Sequence, residues 1–214
     1  MTEYRTGRLV NHDPKSRAYH AARATTHRPV IHKIYGVVLD QGNLSSCVGN
    51  AATHALNAQG YKKWYEWPYN EKFAVSIYGD ATHLDPFPGE YPPEDTGTDA
   101  NSLCKVLRAR GKIRGWAHCW DLDHIVGAVQ LAPVMVGFEF DEGCASPDPT
   151  GVVHPGGRSL GGHETLIYAD DAKGYFWVRN SWGPDWGRHG DYLIAYEDLW
   201  AKLSQAGDAT TLVR

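Results

Sequence analysis

Four side chains in this sequence could act together on a carbonyl group. Cys47 follows the polar segment Gln41-Gly-Asn-Leu-Ser-Ser and opens a stretch where Val48, Ala51, Ala52, Ala55 and Leu56 recur at helical spacing. That pattern is one buried face of a helix, with Ser45 or Ser46 available as N-cap. A thiol at a helix N-terminus sits at the positive end of the macrodipole, which lowers its pKa and favours the nucleophilic thiolate. Gln41, just upstream, can place an amide donor beside it. In the second half, Gly161-Gly162-His163 reads as a tight turn delivering a histidine to the start of an apolar strand. Residues 175–179 read as another strand, ending in Asn180-Ser-Trp182-Gly, and a hairpin through 170–174 brings His163 and Asn180 together. Nucleophile, base and orienting amide are the roles of a Cys-His-Asn triad. Each residue alone has an ordinary explanation, since a helical cysteine is usually a small buried hydrophobe. Their joint occurrence, in this order, points to chemistry.

Two kinds of structure must position these groups. The first half is helical: a nucleophile helix over 45–61, an aromatic loop at 65–70, and a second helix over 73–84. A proline-dense loop at 85–95 follows, then a third helix capped by Asp99 that ends near Arg110, with Gly111 as its stop. The second half has a short helix at 123–131, an alternating strand at 134–140, and a glycine- and proline-rich loop to Gly162. The His163 strand, the Asn180 strand and residues 191–195 complete an antiparallel set. Helices first and strands later indicate α+β. Residues 1–40 are polar, carry Pro14 and Pro29, and read as an extended arm over the body.

Composition excludes several classes. A hydrophobic fraction of 42% and a charged fraction of 21% in 214 residues describe an ordinary globule. A net charge of −4 with mixed signs suggests no nucleic-acid surface. No run approaches the roughly 20 apolar residues of a membrane span, and Met1-Thr-Glu-Tyr-Arg lacks a signal-peptide core. The expectation is a cytoplasmic protein whose four cysteines (Cys47, Cys104, Cys119 and Cys144) are reduced, with Cys104 packed on its helix. The cluster from His118 to His124 matches no ordinary zinc spacing and precedes a helix that an aspartate would cap. No metal or cofactor is expected. Asn43-Leu-Ser45 is formally a glycosylation acceptor, but its place beside the thiol argues against that use.

On Gln41…Cys47, Gly162-His163 and Asn180-Ser-Trp-Gly-Pro-Asp-Trp-Gly187, the chain resembles the papain-like cysteine proteases from about residue 11 to 198. The family's cysteine precedes its histidine and asparagine by about 130–150 residues; here the middle is somewhat shortened. Residues 13–19, Thr96-Gly97-Thr98 before a helix, and residues 191–199 resemble the N-terminal arm, cleft loop, and last strand and helix of the bacterial or phage-encoded branch. There are departures. Leu44 stands where the family has its first cysteine, which removes the disulfide its secreted members form there. Ser45 replaces a glycine, Val48 an aromatic, and Glu164 a small residue. Strand alternation should turn Glu164 away from His163.

The resemblance implies a two-lobed fold as a single domain: an arm at 1–40, a helical lobe at 41–115 and a β lobe at 116–214, with the cleft between the lobes. It implies a cysteine endopeptidase acting on a peptide or protein substrate. The Cys47 thiolate would attack the carbonyl while paired with a His163 imidazolium, which then protonates the leaving amine; Asn180 would orient the ring. Gln41 and the Cys47 N–H would form the oxyanion hole, Trp182 would shield the His163–Asn180 bond, and Gly97, Thr98 and Gly162 would line the substrate cleft. The arm is shorter than the propeptides of many relatives, so restraint could come from a separate protein inhibitor. The oligomeric state is open. Two other functions share these residues: an acyl-transferring ligase or transpeptidase on the same triad, and a non-catalytic peptide-binding module.

Overall fold

The computed structural model describes residues 5–58 and 66–214. From Arg5 the arm runs extended to a single turn, α1 (Pro14–Arg17), where Asp13 accepts the Lys15 N–H at 2.9 Å. It then contributes a two-residue edge strand, β1 (Val30–Ile31). The helical lobe follows with α2 (Cys47–Asn57), α3 (Glu71–Thr82) and α4 (Ala100–Ala109). Asn70 and Asp99 cap α3 and α4 through their side chains, and Gly111 takes a positive φ just past α4. Ser46 occupies the cap position of α2, but its hydroxyl makes no capping bond and instead meets Asn50 Nδ2 at 3.1 Å. The expected end of the nucleophile helix, 59–61, and Tyr65 of the aromatic loop lie outside the described residues.

The β lobe comprises β2 (Gly115–His118), α5 (Leu122–Val129), β3 (Val134–Asp141), α6 (Glu142–Ala145), β4 (Ser159–Asp170), β5 (Tyr175–Arg179), β6 (Asp191–Ala195), α7 (Tyr196–Ala206) and β7 (Asp208–Val213). Among the described residues the sheet is antiparallel throughout, in the order β2-β7-β3-β4-β5-β6, with β1 on the end of β4. Asp121 caps α5, as its position suggested. The expected β4–β5 hairpin forms through 170–174. β2 pairs with β7, and β7 in turn with β3, so neither carried a local hairpin signal.

Strand alternation divides the core in two. Along β3, Val134, Val136, Phe138 and Phe140 enter the β-lobe core, whereas Met135 joins Leu166 and Leu212 against α2 and α4. The lobes therefore meet over one face of β3 and β4. Gly161 and Gly162 are not a turn before the strand; they lie inside β4, ahead of His163. A Cβ on Gly162 would meet the Arg8 carbonyl oxygen at 2.2 Å, and one on Gly161 would meet Thr6 Oγ1 at 2.6 Å. The glycines are there because the arm crosses directly over them.

Candidate active site

Cys47 is the first residue of α2, so its N–H has no intrahelical acceptor. The loop before it is pinned at Ser45, whose N–H and hydroxyl donate to Asp95; Tyr78 donates to the same carboxylate at 2.7 Å. The Cys47 sulfur lies against the backbone N–H of Glu164, the residue after His163. The imidazole comes from β4. Its Nε2 is 2.7 Å from Asn180 Oδ1, which also accepts the Ser181 N–H at 2.8 Å. That second bond fixes the amide with its oxygen toward the ring, so His163 Nε2 carries the proton and donates. His163 Nδ1 is buried and makes no hydrogen bond among the described residues. Trp182 stacks on the ring at 4.8 Å between centroids, and Phe140 meets it edge-on at 4.8 Å.

Gln41 is buried and held at both ends of its amide. Its Nε2 donates to Leu44 O at 2.8 Å, and its Oε1 accepts from Ser181 Oγ at 2.6 Å. Its backbone N–H donates to Ser181 O at 2.9 Å, so the loop before Cys47 is tied to the loop after Asn180. Ser181 thus joins two of the four candidate groups, Gln41 and Asn180. Sequence reading missed it because a serine after an asparagine carries no distinctive signal.

The cleft beside Cys47 is occupied by the arm. Gly7 and Arg8 donate to Gly162 O at 2.9 and 2.8 Å, Leu9 donates to Thr98 O at 2.9 Å, and Thr98 donates to Gly7 O at 2.9 Å. A Cβ on Gly97, which has φ +83°, would meet the Gly7 oxygen at 2.2 Å. Trp182 Nε1 donates to Arg5 O at 3.1 Å. Gly97, Thr98, Gly162 and Trp182 therefore all face one extended segment of the chain itself. The polar composition of residues 1–40 gave the arm but not its path.

Burial is the largest influence on both candidate groups. It pushes the Cys47 thiol up to about 12; the Glu164 carboxyl adds to this, while the N–H groups of Glu164 and Val48 and the charge of Arg8 oppose it. Burial also drives His163 down to about 4, outweighing the Asn180 bond. Both shifts run toward the neutral forms of the thiol and the imidazole, the direction opposite to a thiolate–imidazolium pair. The helix N-terminus acts in the expected direction but is weaker than desolvation. Glu164 is fully buried and turned from the imidazole, as alternation required. Burial, reinforced by Asp208, raises its pKa well above the carboxylate range.

Among the described residues, no group of three or more His, Cys, Asp or Glu side chains is arranged to hold a metal. His118 contacts the hydroxyls of Ser16 and Thr210, and His124 contacts Ala21 O. All four cysteines are free and buried. No described helix is long and apolar enough to cross a membrane.

No family profile matches the chain. Among curated proteins, cathepsin B-like cysteine proteinase 6 of Caenorhabditis elegans is 31% identical over 123 residues, covering 53% of this chain and 32% of that protein. The chain thus spans about a third of that relative's length. Among solved structures, xylellain, a cysteine protease from Xylella fastidiosa, superposes with a TM-score of 0.78 at 17% identity over 99% of this chain and 97% of its own. Digestive procathepsin L2 proteinase from Tenebrio molitor larval midgut matches at 0.60 and 17% identity, over 100% of this chain and 79% of its own. The Carica candamarcensis cysteine protease CMS1MS2, solved in complex with E-64, matches at 0.60 and 14% identity, over 85% and 94%. The fold is that of the papain-like cysteine proteases.

Proposed function

We propose that this chain, with its papain-like fold, is a cysteine endopeptidase whose nucleophile is Cys47. The observation that carries the reading is the convergence of a helix-terminal thiol, a histidine and an asparagine at one cleft. Asn180 Oδ1 fixes the Nε2–H tautomer of His163, which leaves Nδ1 as the basic nitrogen on the free side of the ring. The thiol needs a base on that side. Once the arm leaves, water and substrate replace it over Cys47 and His163, and the desolvation that holds both neutral is relieved. Proton transfer from sulfur to Nδ1 then gives the attacking thiolate and an imidazolium able to protonate the departing amine. Gln41 Nε2 uses one hydrogen on Leu44 O and keeps a second for the developing oxyanion, alongside the Cys47 N–H. Trp182 and Phe140 keep water from the His163–Asn180 bond.

Gly97, Thr98 and Gly162 serve the substrate as they serve the arm, through backbone hydrogen bonds to an extended peptide. The seated arm is an internal restraint, so activity requires its displacement or removal, with or without a separate inhibitor. The single-domain reading, with the arm laid across both lobes, and a cytoplasmic location belong to the same proposal.

The test, in a chain whose arm is displaced by Gly7→Ala, is an epoxide probe with mass-spectrometric location of the adduct, beside hydrolysis of a peptide library. Labelling at Cys47, and loss of both labelling and hydrolysis in Cys47→Ala, are expected. Hydrolysis that survives in the alanine variant overturns the assignment. Product analysis with an added amine separates hydrolysis from acyl transfer; mostly ligated product would favour a transpeptidase.

A further inference from the structure

The β2 end of the sheet carries a surface that the candidate triad does not use. Residues 100–120 hold Lys105, Arg108, Arg110, Lys112 and Arg114 and no aspartate or glutamate, in a chain whose net charge is −4. Arg110 is neutralised within the fold, where its Nε donates to Asp80 Oδ2 at 2.9 Å. Lys112 Nζ lies over the Tyr69 ring, 5.2 Å from its centroid. Arg108 and Arg114 are exposed, and neither forms an ion pair among the described residues. The Arg108 guanidinium lies 5.4 Å from the Trp116 ring centroid. Beside them is a groove of about 480 Å³, lined by Tyr19, Trp116, Ala117 and Val213 together with Arg114 and His20, and by no acid. Tyr19 and Val213 are 68% and 44% exposed.

The backbone along this groove is only half covered. β2 is a terminal strand of the sheet. Cys119 N–H donates to Ala209 O at 2.9 Å, so antiparallel alternation turns Gly115 and Ala117 toward β7 and leaves Trp116 and His118 facing outward. The arm takes His118: its N–H donates to Tyr19 O at 2.8 Å, and its carbonyl accepts the Ala21 N–H at 2.9 Å. Just before that contact the arm curls into α1, where Tyr19 N–H donates to Ser16 O at 3.1 Å. No backbone group of the described arm therefore pairs with Trp116. An open N–H and C=O on an edge strand form a template for another extended chain.

We propose that this edge docks an acidic, extended segment of a partner protein. The segment pairs its backbone with Trp116, places an apolar side chain in the groove and sets carboxylates against Arg108 and Arg114. Pairing with an open edge supplies the affinity of strand addition, and the guanidiniums supply the preference for acid. A nucleic acid fits less well, because it needs a stripe of cations along its phosphates and only two guanidiniums here are free of internal partners. No residue of the candidate triad lines the groove, so the inference is independent of the peptidase reading.

The test uses the full chain and fluorescence anisotropy with three labelled peptides. They are acetyl-Glu-Val-Glu-Val-Glu-Val-Glu, the same peptide with lysine for every glutamate, and the acidic peptide with its central amides N-methylated. The acidic peptide is expected to bind, and the other two to bind at least roughly tenfold more weakly. Replacing both cations, Arg108→Ser with Arg114→Ser, should weaken the acidic peptide by roughly twofold to thirtyfold, the range for two exposed ion pairs. A benzophenone at its central position should cross-link within residues 18–20 or 114–117. Absence of binding, equal binding of the lysine or N-methylated peptide, or cross-links confined to other segments overturns the proposal. So does an oligothymidylate that binds more tightly than the acidic peptide and loses affinity in the same double variant, which would make the surface a nucleic-acid site. The peptide comparisons change no residue of the protein, so they stand even if the double variant fails to fold.

Discussion

Gly7→Ala separates the restraint from the chemistry, because its added Cβ meets Ser45 and no member of the candidate triad. A Cβ on Gly7 would sit 2.1 Å from Ser45 O and 2.5 Å from Ser45 Cβ. A relaxed contact needs about 3.5 Å, so the arm must retreat by more than about 1 Å. Two hydrogen bonds of Gly7 then fall out of reach: its N–H to Gly162 O and its carbonyl from Thr98 N–H, both 2.9 Å now. At about 0.5–1.5 kcal/mol each, their loss shifts the seated–unseated equilibrium by about 1–3 kcal/mol, or roughly fivefold to 150-fold. The assay is the rate of iodoacetamide modification at Cys47 at pH 7, followed by peptide mass spectrometry. Cys104, Cys119 and Cys144 are buried elsewhere and serve as internal controls. The expected result is acceleration at Cys47 within that range while the other three stay unmodified. An unchanged Cys47 rate refutes the argument that the arm closes the site. Equal acceleration at all four cysteines refutes it too, because it reports general loosening.

The other predictions concern the triad and stability. In the Gly7→Ala background, Asn180→Ala should lower kcat by roughly tenfold to hundredfold, for the lost 2.7 Å bond to His163; steady-state kinetics with kcat intact would remove Asn180 from the mechanism. Cys47→Ala should melt within about 1 kcal/mol of the parent, since one small buried atom is lost; a larger drop by denaturant titration would mean that the sulfur holds the cleft together. His54 is buried, accepts the Leu39 N–H at 3.2 Å, and is driven down to about 3 by burial and then by Arg179. Because its folded pKa lies below the ordinary 6.5, the unfolded chain binds the extra proton between those values. Its stabilisation is complete above pH 6.5 and is lost as pH falls toward 3. Melts between pH 7 and 4.5 should show a loss of up to about 1.4 kcal/mol per pH unit from this residue; identical pH slopes for the parent and His54→Gln would contradict that.

The parts of the site that sequence revealed are those written in short local patterns. The apolar stripe from Val48 to Leu56 requires a helix, and a helix there puts Cys47 at its N-terminus wherever the rest of the chain goes. Asp99 and Asp121 announced their helices because capping involves only the next three residues. The hairpin at 170–174 brought His163 and Asn180 near each other for the same reason. Gly161 and Gly162 were misread because glycine signals both a turn and a close approach of another chain, and only the position of the arm distinguishes them. β7 escaped notice because its partners, β2 and β3, lie far back in sequence.

The sequence alone therefore determined the set of candidate groups, their order, and the helix end that bears the sulfur, since each follows from neighbours within a few residues. Tertiary structure decided whether those groups are exposed or covered and in which direction burial shifts their titration. Arg8 meets Asp208, and Gly7 meets Gly162, across almost the whole chain. Desolvation depends on everything packed around a group, whatever its distance in sequence, and so no local pattern records it.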